Sequence, residues 1–159
     1  MTRRILVHAV VFAAVVVLAG GVASAEMSKG VIAAFKGQIV ISKADLPEGK
    51  SDKESITKIK AAQVKELEGH DNGEVTAWSF HYAAFLNKAG GSSLKLEFWR
   101  DGKQYSADKR LEGVDPKSAV LTGEISIDED ENIAKGKSYV IKLVAGKDTV
   151  LATTTLVMK

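Results

Sequence analysis

Alternation of apolar and polar positions is the strongest pattern in the chain. Between Glu74 and Asn87, Trp78, Phe80, Tyr82, Ala84 and Leu86 fall on one side, and Ala77, Ser79, His81, Ala83 and Phe85 on the other. A period of two sustained this long is that of an extended strand, and the mixed second side predicts a central strand covered on one face and partly on the other. Upstream, Phe35 to Lys43 ends in the β-branched run Ile39-Val40-Ile41 and predicts a first strand, broken by Pro47 and Gly49. From Asp52 the period changes: Ile56, Ile59, Val64 and Leu67 recur at helical offsets, behind an Asp52 suited to cap the first turn. One amphipathic helix is expected there, with Gln63 to Glu68 fitting either its second half or a polar edge strand.

After Gly90-Gly91, two strand-like runs flank Asp101-Gly102, the preferred dipeptide of a two-residue type I′ turn. That turn predicts Arg100 opposite Lys103, Trp99 opposite Gln104 and Phe98 opposite Tyr105. Continuing the ladder sets Leu96 against Ala107 and Leu94 against Lys109. The expected core face is Leu94, Leu96, Phe98, Tyr105 and Ala107; the expected wet face holds Lys95, Glu97, Trp99, Gln104, Ser106 and Asp108. Gly113 to Pro116 turns the chain into a strand from Ala119 to Ile127, with a bulge expected at Gly123. The last two strands are predicted at Lys137 to Ala145 and Thr149 to Met158, joined by Gly146-Lys147-Asp148, with Tyr139, Ile141 and Leu143 facing inward. Strands at this spacing predict an all-β fold of seven to eight strands with one short helical insert.

The N-terminus departs from these periods. Arg3-Arg4 precede an almost unbroken apolar run from Ile5 to Leu18, and Ala23-Ser24-Ala25 closes the stretch. Charged, apolar and small-residue regions in that order predict a secretory signal cleaved before Glu26, with an uncleaved membrane anchor as the alternative. The organisation read from the chain is therefore a leader over 1–25, an N-terminal extension over 26–34 and one domain over 35–159. The location expected is periplasmic or extracellular, the two being left open.

Composition then narrows the functional classes. The chain of 159 residues carries 22 basic against 20 acidic side chains, and because the leader takes two arginines with it, the remaining 134 residues balance at 20 of each. Without a basic stripe, nucleic acid is not an expected partner. The absence of cysteine excludes thiol catalysis, thiolate metal sites and a lipid-bearing N-terminal cysteine, and leaves packing alone to stabilise the domain.

Ile133-Ala134-Lys135-Gly136-Lys137-Ser138-Tyr139-Val140-Ile141-Lys142-Leu143 resembles the corner before the penultimate strand of fibronectin type III and related immunoglobulin-like domains. The likeness covers about a dozen residues. It implies an immunoglobulin-like antiparallel β-sandwich in which the Tyr139 hydroxyl bonds to backbone a few residues upstream. The helical insert and the lack of a Cys…Trp…Cys signature depart from that family, and the resemblance carries over no functional residue.

Candidate chemistry is sparse. Asp128, Asp130 and Asn132 share the alternating-oxygen spacing that opens a calcium loop, but Ile133 stands where the tight turn requires glycine and Tyr139 where a bidentate glutamate belongs. A solvated acidic turn is the preferred reading, and no cofactor or metal is expected. His81 and His70 lack a third partner at zinc-binding spacing. Trp99 is the most suggestive residue: turned outward beside Glu97 and Gln104, an indole can stack on a sugar or anchor a protein. Trp99, Glu97 and Gln104 are accordingly the candidate ligand-binding residues. The first functional expectation is a non-enzymatic binding or structural module for another envelope or extracellular protein or a polysaccharide. The alternatives are a small hydrolase-like or metal-dependent enzyme, which requires titratable groups converging on one cleft, and an inhibitor inserting loops such as Gly69 to Gly73 or Gly113 to Pro116.

Overall fold

A computed structural model of the chain describes residues 23–24, 27–71 and 73–159. The expected leader therefore lies outside the described residues except at Ala23–Ser24. The fold is an all-β sandwich. Its first sheet has the order β1 (Ala23–Ser24), β8 (Val120–Asp128), β5 (Thr76–Phe85), β2 (Ile39–Ser42), with β4 (His70–Asp71) also pairing β5. Its second sheet runs β3 (Glu66–Leu67), β10 (Thr149–Met158), β9 (Lys137–Ala145), β6 (Leu94–Arg100), β7 (Gln104–Leu111). All pairings between strands are antiparallel except β3 with β10. Among the described residues, no helix is long and apolar enough to cross a membrane.

The predicted inward sides meet between the sheets. Trp78, Phe80 and Tyr82 of β5 join Leu96 and Phe98 of β6 and Tyr139, Ile141 and Leu143 of β9 in one core of fully or nearly fully buried side chains. Burial removes roughly 1.5–3 kcal/mol of unfavourable hydration per large aliphatic or aromatic side chain, which is how a cysteine-free domain holds together. Trp78 also satisfies its indole N–H on the Lys159 carbonyl at 2.9 Å. That bond ties the chain end to the central strand.

The other side of β5 builds a second, smaller core. Ala83 and Phe85, with Val40 of β2 and Val120 of β8, are covered by Val31 and Phe35 of α1 (Lys29–Phe35) and Ile59 of α2 (Asp52–Ala62). Phe35 and Phe85 lie 5.0 Å apart between ring centroids. Phe35 therefore ends a helix where the β-branched run downstream had suggested the start of a strand, and residues 29–35 are a second helix that periodicity did not announce. Seven residues with a glycine second are too few to be helical alone, so packing on Phe85 decides the conformation. The helix α2 agrees with expectation over its first half; Glu66–Leu67 is the edge strand of the two readings. Its cap is Ser51, one residue before the expected Asp52, accepting the Glu54 N–H.

The hairpin register differs from expectation, and the reason is local. Asp101 and Gly102 both have positive φ, and Lys103 N–H bonds the Arg100 carbonyl at 3.0 Å, as a type I′ turn requires. The returning strand then carries extra residues: Arg100 pairs with Gln104 and Trp99 with Tyr105, and after a bulge Phe98 pairs with Ala107, Leu96 with Lys109 and Leu94 with Leu111. A one-residue slip exchanges faces and a second restores them. Ala107 consequently keeps its inward place, while Tyr105, expected in the core, stands outside opposite Trp99, and Gln104 loses Trp99 as a partner. Gly123 is not at a bulge either, since β5 and β8 pair without interruption from Ala77–Asp128 to Phe85–Val120.

Candidate functional site

The outer face of the second sheet assembles from three cross-strand rows. Tyr105, Trp99, Val140 and Thr155 form one row; Asp108, Glu97, Lys142 and Thr153 the next; Arg110, Lys95, Val144 and Val150 the third. Directly opposed side chains in a sheet lie about 4.5–5.5 Å apart at Cβ, so each row is a line of contacts.

A continuous polar chain crosses these rows. The Trp99 indole N–H donates to Glu97 Oε2 at 2.9 Å, and Lys95 Nζ lies 2.7 Å from Glu97 Oε1 and 3.5 Å from Asp108 Oδ2. The Tyr105 hydroxyl donates to Asp108 Oδ2 at 2.8 Å. Lys142 Nζ stands 4.2 Å from the centroid of the Trp99 ring, and Tyr105 meets that ring edge-on at 5.6 Å and 79°. Hydrogen bonding to Glu97 raises the Lys95 pKa, and partial burial followed by the Asp108 bond raises that of the Tyr105 hydroxyl.

Of the three sequence candidates, the structure brings Trp99 and Glu97 together and leaves Gln104 one step nearer the turn, paired with Arg100. Tyr105 takes its place. Glu97 is 8% exposed and Trp99 half-buried, whereas Tyr105 is 45% exposed. With one indole face under Lys142, the ring most open to a ligand is Tyr105. Alternation alone pointed Tyr105 inward; only the bulge redirects it.

The acidic tract forms a short 3-10 turn, Glu129–Glu131, in which the Glu129 and Glu131 side chains bond to neighbouring parts of the protein while Asp130 is exposed. Glu129 Oε2 accepts the Thr76 N–H at 3.0 Å, Glu131 pairs with Lys109 and accepts the Asp128 N–H, and Asn132 Nδ2 donates to the Ser106 carbonyl at 3.2 Å. The calcium spacing of Asp128, Asp130 and Asn132 is thus spent on a left-handed turn at Asn132. Asp128 Oδ1 is buried without a protein partner. Among the described residues, no group of three or more His, Cys, Asp or Glu is placed to hold a metal ion. His81 sits on the outer face of the first sheet with Nδ1 3.0 Å from Asp45 Oδ1, and His70 is exposed on β4.

A cleft of about 230 Å³ lies between the start of α1, the loop before α2 and the first turns of α2. Val31, Pro47 and Ile59 are among its apolar lining and Glu48, Lys50 and Asp52 among its charged lining. Ser28 donates to Asp52 Oδ1 at 2.6 Å, and a Cβ on Gly30 would fall 2.1 Å from Asp52 Oδ2, so a side chain there would require the Asp52 carboxylate to turn aside. The sequence marked Pro47, Gly49, Asp52 and Ile59 of this lining for their part in local structure and none of the lining as a binding residue, because α1 itself was not predicted. Compared with known proteins, the chain matches no family model, no curated protein and no solved structure.

Proposed function

We propose that this chain is an exported, non-enzymatic binding module on an immunoglobulin-like sandwich, and that its ligand surface is the outer face of β7-β6-β9-β10, where Tyr105 and Trp99 meet a polysaccharide. Two observations support the immunoglobulin-like reading. Leaving aside the two-residue strands β1, β3 and β4, the sheets order as β2-β5-β8 against β7-β6-β9-β10, the arrangement of three strands facing four in fibronectin type III domains, and Tyr139 accepts the Ala134 N–H at 2.8 Å in the manner of the tyrosine at that fold's corner. Export is read from the order of regions in residues 1–25.

The observation that carries the binding reading is the exposed Tyr105 ring held edge-on to Trp99 by a chain of carboxylates and ammonium groups. An aromatic ring offers a sugar's C–H face a stacking surface, and the neighbouring Lys95 and Asp108 offer its hydroxyls a donor and an acceptor.

Titration of the exported protein with soluble envelope and plant polysaccharides, followed by tryptophan fluorescence, tests this. Binding that weakens at least about tenfold in Tyr105→Ala, the loss of one well-placed stacking contact, is the expected result. Equal affinity in the two proteins, or saturable binding of an envelope protein but of no glycan, overturns it.

A further inference from the structure

We infer that the polysaccharide taken by the outer face of the second sheet is acidic, a polyuronate whose carboxylates lie against Lys142 and Arg110 while one of its sugars stacks on Tyr105. The inference deepens the polysaccharide reading of that face and rests on it.

The way the face spends its charges carries the argument. Glu97 and Lys142 are direct partners in the β6–β9 ladder, but each turns to a different neighbour. Glu97 accepts the Trp99 indole N–H on Oε2 at 2.9 Å and holds Lys95 on Oε1 at 2.7 Å. Lys142 turns its ammonium to the Trp99 ring, 4.2 Å from the centroid. An aromatic face attracts a cation through its quadrupole and leaves the positive charge uncancelled. Asp108 in turn faces Lys95 and accepts the Tyr105 hydroxyl. Across the three rows, the cations Lys95, Lys142 and Arg110 therefore stand against the carboxylates Glu97 and Asp108, and the face is positive on balance.

Position matters as much as sign. The indole under Lys142 is the one that Tyr105 meets edge-on at 5.6 Å, which keeps the ammonium within a disaccharide's span of the exposed Tyr105 ring. Arg110, exposed on β7, lies two strands across and one row along from Lys142, roughly 12 Å away at Cα from the usual strand and residue spacings. A sugar chain stacked on Tyr105 and running toward the Arg110 row passes both cations. With a carboxylate on every unit it brings an anion to each of them. These pairings are charge-assisted hydrogen bonds, and the planar Arg110 fork suits a carboxylate. One charge per sugar also fits a face that keeps Asp108 between the Tyr105 and Arg110 rows, where a doubly charged phosphate would meet stronger repulsion.

The test titrates the purified protein calorimetrically with oligogalacturonate, oligomannuronate and hyaluronate fragments, each beside its carboxyl-reduced neutral counterpart. The series is run at low and high salt and repeated with Lys142→Gln. At least one acid form is expected to bind about fivefold tighter than its neutral counterpart at low salt, the gain of an exposed charge pairing, and to lose that margin as salt rises. Lys142→Gln should bring the two forms close to equal affinity. Equal affinities in the unaltered protein, or tighter binding of the neutral forms, overturn the acidic assignment and leave the polysaccharide reading standing. A margin that survives Lys142→Gln overturns the place given to Lys142. Binding of no glycan at all overturns both readings together. Should Lys142→Gln fail to fold, the unaltered protein decides, since a margin that salt leaves untouched overturns the charge pairing.

Discussion

Tyr82 lies over Gly123, its directly opposed partner in the β5–β8 ladder, so closely that a Cβ at position 123 would sit 2.9 Å from the tyrosine Cε1 and 3.0 Å from its hydroxyl. The glycine in mid-strand is thus a seat for an aromatic ring. A strand glycine ordinarily weakens its sheet, and here the weakness is offset by the ring that fills the missing side chain's place.

Gly123→Ala should therefore destabilise by about 1–3 kcal/mol, the usual cost of overpacking a close-packed core. In Tyr82→Leu, whose shorter side chain leaves the seat, the same alanine should cost much less. Urea denaturation of the two single variants and the double variant measures the coupling, and additive losses would count against the contact.

The Tyr82 hydroxyl is buried with no hydrogen-bond partner, and burial pushes its pKa up to about 12. An unfolded tyrosine ionises near pH 10, so between roughly pH 10 and 12 the unfolded chain releases a proton that the folded one retains. The full Tyr82 contribution is present below that window, and as pH rises through it stability falls by up to about 2 kcal/mol. Tyr82→Phe should flatten this part of the alkaline limb and leave stability at neutral pH unchanged or slightly higher, since an unsatisfied polar group disappears. An alkaline limb equally steep in the variant would assign the effect to other groups.

At the corner before β9, the fully buried Tyr139 accepts the Ala134 N–H, and Tyr139→Phe leaves that backbone donor without its partner. A loss of about 1–3 kcal/mol is expected, with the fold retained. Thermal unfolding followed by far-ultraviolet circular dichroism checks it, and an unchanged midpoint would mean that water replaces the hydroxyl at no cost.

How far this molecule can be read without coordinates follows from the range of the forces involved. The final pair of strands, Lys137–Ala145 and Thr149–Met158, needs only its own alternation and a glycine-containing turn, and the predicted bounds coincide with the observed ones. Tyr139 facing inward and the two-sided burial of β5 were legible for the same reason. Of the candidate site, Trp99 and Glu97 were legible as outward residues of one strand, because i and i+2 share a face whatever lies across from them.

What alternation cannot encode is the count of residues between paired strands. The bulge that turns Tyr105 out and separates Gln104 from Trp99 comes from how β7 settles against β6 while β9 holds β6 from the other side. Tertiary contact likewise made residues 29–35 helical, since Val31 and Phe35 have little reason to coil until Phe85 lies beneath them. Local periodicity therefore determined the strands and their inward faces, and packing between distant segments decided register, the extra helix and the neighbours of Trp99, because a one-residue slip costs nothing locally and reverses every side chain it moves.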